Sequence, residues 1–212
     1  MFQQSIQRNY TTGFPGDIVR DGPMRGKVAR IESATVGTDP GASTNRITRA
    51  FGWSGEAGVV GANVPGGSTY AAEAPRVIVG GPLFFGILGH TKHYALSGTA
   101  DGSLTAALEL PVGSEGEFFD MVTGLVVEVF NETGAIKNIA FGDRVAYVSS
   151  AITAAQNLLE LPYGALITLP SGAAVPAGFV LIPNARVMTV QSLTASAEGA
   201  LVVGNAIVQL TQ

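Results

Sequence analysis

Seven short apolar runs, spaced about ten residues apart and closed by glycine, proline or asparagine, follow one another from Gly116 to Gln212. Runs rich in Val, Ile, Leu and Thr at this spacing are typical of antiparallel sandwiches and barrels, in which each run is one strand. We therefore predict a mainly β fold here, an antiparallel sandwich or barrel of jelly-roll-like type. The runs are Leu125–Phe130, Arg144–Val148, Ala165–Leu169, Phe179–Ile182, Arg186–Leu193, Ala200–Val203 and Ala206–Leu210.

The residues before Gly116 are patterned less regularly. Residues 1–16 are glutamine-rich and end in a glycine-proline turn, which indicates an extended N-terminal arm. Residues 17–115 indicate a β-rich region with long glycine-rich loops, and residues 116–212 make up the predicted sandwich or barrel. The strands predicted in the middle region are Asp17–Arg20, Lys27–Ile31, Ile47–Trp53, Arg76–Val79 and Leu83–Leu88, with Leu104–Leu110 as a strand or a helical turn.

One segment of the C-terminal stretch carries a helical pattern. In Ala151–Leu161 the apolar residues share one face at helical spacing, and Pro162 ends the pattern. Thr153 and Asn157 weaken it. The segment is the one candidate helix in a chain otherwise predicted as strands and loops.

Charged side chains are scarce for a chain of 212 residues. They make up 13% of the sequence, against about 25% in ordinary globular domains, and the mean hydropathy is positive at +0.32. Monomers of this size cover their surface with Lys, Glu and Asp, so this composition predicts surface hidden against partners, in a homodimer or a homotrimer. The absence of cysteine fits maturation in a reducing cytoplasm, or stability gained through assembly.

Neither a membrane segment nor a signal peptide is predicted. The most apolar stretch, Val77–Leu88, is too short to span a bilayer and is interrupted by glycines and Pro82. The first ten residues lack the cationic start and apolar core of a signal peptide. We therefore expect no membrane partner.

The residues that could carry out metal or acid–base chemistry are few. His90 and His93 are the two histidines, and without cysteines or enough nearby carboxylates we interpret them as a surface turn and not as zinc ligands. Glu115, Glu117 and Asp120 could suggest the paired carboxylates of a glycosidase. No other feature marks a sugar cleft, so we predict an exposed acidic loop.

Other catalytic and binding motifs are missing from the sequence. It contains no nucleophile elbow and no P-loop, and we interpret Trp53 as a core or interface anchor. The early arginines are too sparse, with too few interleaved aromatic residues, for a nucleic-acid groove in a chain of net charge −4. The sequence therefore predicts a non-enzymatic protein without cofactor, metal, small-molecule substrate or nucleic-acid partner.

Charge is distributed unevenly along the chain. Residues 1–50 carry seven basic and four acidic side chains, a net +3, and residues 51–212 carry five basic and twelve acidic ones, a net −7. Opposite signs favour head-to-tail contacts between copies, or docking of the basic arm onto an acidic surface. Chance variation in a weakly charged chain is the alternative.

In its order of segments the chain resembles the capsid structural cement (decoration) proteins of tailed bacteriophages. The resemblance lies in the arm leading into Phe14–Asp17, then in Arg49–Trp53, Phe85–Leu96, Gly142–Tyr147 and Leu181–Val187. It implies a virion protein, made in the host bacterial cytoplasm, that binds the outside of an icosahedral head as a dimer or trimer. It also implies that the protein bridges neighbouring subunits of the major capsid protein and has no catalytic residues.

Under this interpretation the N-terminal residues are the expected contact with a capsid subunit or a neighbouring copy. Arginine and aromatic side chains are common interface anchors, because they supply a large contact for little lost rotamer freedom. The residues expected to make these contacts are Arg8, Tyr10, Phe14, Arg20, Arg25 and Arg30.

Two other functions stay open at the level of sequence. A head-fibre or tail adhesin that binds host surface glycans should show clustered aromatic residues, whereas the single Trp and five Tyr here are not visibly grouped. A small polysaccharide-degrading enzyme should bring together carboxylates from separate strands, which the sequence alone does not reveal.

Overall fold

A computed structural model of the chain describes residues 15–32, 45–53, 75–89, 110, 113–132, 137–189, 191–193 and 203–211. Within these residues every regular element is a strand, so the predicted mainly β fold is confirmed. The strands are β1 (Arg25–Ile31), β2 (Ala50–Trp53), β3 (Arg76–Val79), β4 (Phe84–Leu88), β5 (Glu115–Phe130), β6 (Lys137–Ile139), β7 (Arg144–Val148), β8 (Leu166–Leu169), β9 (Phe179–Val187), β10 (Gln191–Leu193) and β11 (Val203–Leu210).

Nine of these strands form one mostly antiparallel sheet, and β6 pairs separately with β10. The order is β1-β3-β2-β4-β5-β11-β9-β7-β8, and two further pairings, β1 with β5 and β5 with β8, close the sheet on itself twice. The result is two five-stranded barrels that share β5. We call them the N-terminal barrel, with strands β1 to β4, and the C-terminal barrel, with strands β7, β8, β9 and β11.

The shared strand β5 has 16 residues and spans about 50 Å. Its first seven residues pair with β1 and β4, and its remaining nine pair with β11 and, at the end, with β8. A strand that is covered on both faces has a nearly continuous run of apolar residues in its sequence. Most residues of β5 are buried, as expected for such a strand. One strand therefore contributes to the core of both barrels.

The two barrels are filled in different ways. Three phenylalanines meet inside the N-terminal barrel, where the Phe118 ring lies 4.9 Å from that of Phe51 and 5.6 Å from that of Phe85, centroid to centroid. The interior of the C-terminal barrel is mainly aliphatic, with Leu125, Val127 and other alternating residues of β5, β7, β9 and β11 fully buried. Such close-packed interiors account for most of the stabilisation of a β fold.

The barrels meet at a seam lined by glycines. A Cβ atom on Gly164, whose φ is +71°, would lie 2.5 Å from the carbonyl oxygen of Ala50, so no larger residue fits there. The Ala50 N–H donates to the Gly164 carbonyl at 2.9 Å, and the Tyr147 hydroxyl donates to the Gly81 carbonyl at 2.6 Å. Burial raises the pKa of Tyr147, which keeps this donor protonated. The seam thus joins the barrels backbone to backbone.

The prediction of a helix at Ala151–Leu161 is wrong, because the segment is a series of turns. The Asn157 side chain stabilises one of these turns by bonding to the backbone of Leu161. Its amide donates to the Leu161 carbonyl, and its oxygen accepts from the Leu161 N–H, both at 2.8 Å. Asparagine often competes with helical hydrogen bonds in this way.

Several predicted strands also need correction, and the largest change is that Leu125–Phe130 is only the end of β5, which begins at Glu115. Asp17–Arg20 is not a strand but holds one isolated bridge, from Ile18 to Leu125. The strand expected at Ile47–Trp53 begins at Ala50, since Thr48 has a φ of +75°. Phe179–Ile182 and the start of Arg186–Leu193 form one continuous strand, because an irregularity around Pro183 and Asn184 absorbs the expected turn. Leu104–Leu110 and Ala200–Val203 lie outside the described residues except for their last residue.

Candidate functional site

Residues 15–31, which we call the strap, run antiparallel along one edge of β5. At the far end, the Gly16 N–H donates to the Val126 carbonyl at 2.8 Å and the Val126 N–H donates to the Asp17 carbonyl at 2.9 Å. β1 then pairs with β5 from Arg25↔Met121 to Arg30↔Glu115. Main-chain hydrogen bonds therefore hold the strap in place at both ends.

Four exposed apolar residues lie close together in the sequence of the strap. Ile18, Val19, Met24 and Val28 are between 39% and 61% exposed, and they are half of the large apolar residues that are exposed in the described part of the chain. Ala29 and Ile31 point inward and are fully buried. Single exposed apolar residues are ordinary, but four between residues 18 and 28 of one fixed segment, which we call the apolar row, favour an interaction surface.

A buried carboxylate holds the strap to β5. Asp120 has a side chain that is 3% exposed and accepts two hydrogen bonds from the Arg25 guanidinium, at 2.8 and 2.6 Å, and another from Lys27. The Lys27 ammonium also lies 5.1 Å from the centroid of the Phe85 ring. Burial raises the pKa of Asp120, but the bonds from Arg25 and Lys27 together bring it below its ordinary value. Asp120 is therefore an ionised clamp between two cations of the strap.

This clamp overturns the prediction of an exposed acidic loop. Glu115, Glu117 and Asp120 all lie on β5, where alternate side chains point to opposite faces. Glu115 is exposed, Glu117 is half-buried and lies over Gly26, and Asp120 is buried.

The expected contact residues fall into two groups. Arg8, Tyr10 and Phe14 lie outside the described residues. Arg20, Arg25 and Arg30 all lie on the strap and are exposed, although the Arg25 guanidinium is engaged by Asp120. The stem of Arg20 covers Gly124 of β5, where a Cβ atom would lie 2.9 Å from the Arg20 side chain.

Sequence reasoning missed the four exposed apolar residues of the strap. The signal was present, because the segment from Asp17 to Ile31 holds more apolar residues than the inner face of one short strand can bury. The sequence does not show which face of β1 points into the barrel. In the structure Lys27, Ala29 and Ile31 face inward, and Val28 therefore faces outward.

Three basic residues of the first fifty pair with carboxylates of the more acidic remainder of the chain. Arg25 and Lys27 bind Asp120, and Arg46 reaches Glu128 of β5 at 3.2 Å. Part of the charge difference between the two parts of the sequence is therefore used to join them. Arg76 reaches Glu32 at 3.1 Å, a pair of the opposite sense.

The structure offers little for chemistry in its described part. There, no group of three His, Cys, Asp or Glu side chains could hold a metal ion, and no helix is long and apolar enough to cross a membrane. His90 and His93 lie outside the described residues. Trp53 is half-buried, with its ring edge-on to Phe85 at 4.9 Å, which is the packing of a core anchor.

Comparison with known proteins yields one family. The profile described as "Structural cement protein (E217 gp24/Pam3 gp6)" matches residues 2–211, nearly the whole chain. Among solved structures, a chain of "The capsid of Myoviridae Phage XM1" superposes with a TM-score of 0.49 at 13% identity, over 100% of this chain and 98% of that one. No curated protein matches at a significant level.

Proposed function

The chain belongs to the phage structural cement protein family, and on that premise we propose that it binds the outer surface of an icosahedral phage head. It is a structural protein of the virion. In this proposal it is made in the host bacterial cytoplasm, assembles as a homodimer or homotrimer, and stabilises the shell by bridging neighbouring major capsid subunits.

The observation that carries this proposal is the exposed apolar row on the strap. Ile18, Val19, Met24 and Val28 face solvent on a backbone that is already hydrogen-bonded to β5. The backbone of a surface fixed in this way loses little conformational freedom when a partner covers it, so the entropic cost of binding is lower than for a flexible segment.

Arginines on the same segment add to this interface composition. Arg20 and Arg30 lie on the strap among and after the apolar residues and are exposed, while Arg25 keeps the strap on β5 through Asp120. Arginine forks bind carboxylates bidentately, and apolar centres with polar rims are usual in protein interfaces. In the same proposal, Arg8, Tyr10 and Phe14 of the arm extend this contact to a capsid subunit or a neighbouring copy.

Stabilisation of the shell follows from mass action. A protein that binds the assembled lattice and not the separated subunits shifts the equilibrium toward the lattice. No chemistry is required of it, in keeping with a family of structural proteins.

A binding assay on heads assembled without this protein tests the proposal. The double variant Met24→Ser/Val28→Ser should bind such heads at least about tenfold more weakly, since it removes two anchors from the row. Deletion of residues 1–14 should also lower occupancy and leave the fold intact. Leu158→Ser is the matched control, because Leu158 is 84% exposed on a turn outside the strap.

Circular dichroism must show that each variant keeps the thermal stability of the wild type. Strap variants that bind as tightly as wild type, in low and high salt alike, would rule the strap out as the contact. A wild-type chain that does not bind heads at all would overturn the proposed function itself.

A further inference from the structure

A second exposed feature lies on the C-terminal barrel, at the turn between β6 and β7. Residues 140–143 form this turn, and Asp143 closes it by accepting a hydrogen bond from the Ala140 N–H at 2.9 Å. Gly142, with a φ of +87°, donates to the Val187 carbonyl, and the Val187 N–H donates to the Asp143 carbonyl, both at 2.8 Å. The turn is therefore fastened to β9 on both sides.

This fixed turn presents an aromatic ring to solvent. Phe141 is 66% exposed, whereas every other aromatic side chain in the described part of the chain is buried or half-buried. Nothing in the packing of the barrel requires a phenylalanine there. Rigidly presented aromatic residues are frequent binding anchors, because they bury a large area for the loss of two torsions.

Two arginines lie next to the turn on the outer face of the same barrel. Arg144 of β7 and Arg186 of β9 are directly opposite each other in the sheet, while Val145, Ala185 and Val187 point inward. Arg144 donates to the Ala173 carbonyl and Arg186 to that of Ala185. Among the described residues, neither guanidinium has a carboxylate within ion-pair distance.

Like charges directly opposite each other destabilise a sheet, so this pair has no evident stabilising role inside the chain. It contrasts with Arg25, Arg46 and Arg76, each of which meets a carboxylate of its own chain. In a protein of net charge −4, two adjacent arginines that meet no carboxylate in the described part of the chain, beside an exposed aromatic ring, complement an acidic surface with an apolar pocket.

The turn lies on the side of the C-terminal barrel opposite Ile18, at the start of the strap, whereas Val28 lies beside the N-terminal part of β5. The pairs Ile18↔Leu125, Leu125↔Val208 and Val208↔Val187 form one row across the sheet, from the strap through β5 and β11 to β9. In a ring of five strands, the pair of β9 and β7 faces β5 across the barrel. One flat partner surface therefore cannot cover both features.

We propose that Phe141, Arg144 and Arg186 form a second capsid-binding surface, which takes a different subunit of the shell from the one on the strap. The Phe141 ring enters an apolar pocket of that subunit, and the two arginines bond to carboxylates at the rim of the pocket. This inference rests on the proposed function, and it gives the bridging protein its second contact.

Phe141→Ser and Arg186→Glu, made separately in the full chain, test this surface on heads assembled without the protein. Each should weaken binding at least about tenfold, and Arg186→Glu should also reduce the salt dependence of binding. Leu158→Ser serves again as control, because it removes a more exposed apolar side chain beyond the other end of β7. Sedimentation should show the oligomeric state of the wild type for both variants.

Wild-type affinity of both variants would overturn the inference and leave the strap proposal standing. Weaker binding accompanied by dissociation of the oligomer would also overturn it, because the surface would then bind a second copy of the chain. If the wild type fails to bind heads, the proposed function and this inference fall together. Two weakened variants with unchanged oligomeric state and stability support it.

Discussion

The two barrels share a strand and yet are stabilised by different interactions. All but one of the ion pairs among the described residues use a cation from the N-terminal half, and Asp120 is the least exposed carboxylate in them; the exception, Lys137 with Glu132, has both side chains largely buried. The C-terminal barrel has longer strands and an interior of aliphatic side chains. The N-terminal barrel should therefore respond to pH and to charge substitutions, whereas the C-terminal barrel should respond mainly to changes of packing.

The difference bears on how the protein could hold a shell. Two contact surfaces strengthen a lattice when the body between them is rigid, and here β5 and the glycine seam connect the two proposed surfaces through main-chain hydrogen bonds. The strap is the part whose attachment depends on charge. We expect loss of the Asp120 charge to lower hydrogen-exchange protection in β1 more than in the C-terminal barrel, while the main-chain pairing with β5 keeps the strap in place.

The largest expected effect comes from filling the seam. Gly164→Ala should destabilise the protein by about 3 kcal/mol or more, because a Cβ atom would meet the Ala50 backbone and a non-glycine residue would take a left-handed conformation. Gly172→Ala is the matched control, since its φ is +86° with nothing near the added atom, and it should cost about 1 kcal/mol.

Denaturation followed by fluorescence of Trp53, the sole tryptophan, and by circular dichroism measures this effect. Trp53 lies in the N-terminal barrel, while circular dichroism reports both barrels. If the barrels fold as one unit, both signals shift together in Gly164→Ala. If the fluorescence and circular dichroism signals of the wild type changed in two separate unfolding transitions, the barrels would unfold independently. The shared strand would then not couple them.

A smaller and more local effect is expected from Asp120→Asn. Loss of the buried carboxylate charge weakens its bonds to Arg25 and Lys27 and should cost about 1–3 kcal/mol. Hydrogen exchange should lose protection in β1 and keep it in β7 and β9. Glu115→Gln, on the exposed side of the same strand, should change little. Equal loss of protection in both barrels would contradict the assignment of charge dependence to the strap.

The smallest effect is the pH dependence of the same clamp. The folded-state pKa of Asp120 lies below its ordinary value of 3.8, so the clamp stabilises the protein at every pH above that value. This contribution is lost as the pH falls through the folded-state pKa. The stability difference between wild type and Asp120→Asn should thus persist from pH 7 to 5 and shrink below about pH 3.8. If this stability difference vanished near pH 6, the folded-state pKa of Asp120 would have to be raised and not lowered, which would contradict the prediction.

Strands were predictable from sequence where apolar runs end in clear turns. Arg76–Val79 and Arg144–Val148 match β3 and β7 residue for residue. The prediction failed where the same local sequence pattern is compatible with two different structures. Pro183 and Asn184 suggest a turn but sit in an irregularity within one strand, and Asn157 turns an apparently helical segment back on itself.

The candidate site was less predictable than the fold, for a physical reason. Met24 and Val28 have the composition of core residues, and only their place in the sheet shows that they face solvent. Asp120 lies among apolar residues of one strand, while its partners come from a strand almost a hundred residues earlier in the sequence. Local patterns do not encode pairings between such distant segments.

A cryo-electron microscopy reconstruction of the phage head carrying this protein tests the central claim, that one rigid body bridges two subunits. We expect density on the outside of the shell, with Met24 and Val28 of the strap against one major capsid subunit and Phe141 against a neighbouring subunit. Density on the inner surface would contradict the claim. So would a reconstruction in which the strap and the Phe141 turn both contact the same subunit, or in which one of them faces solvent.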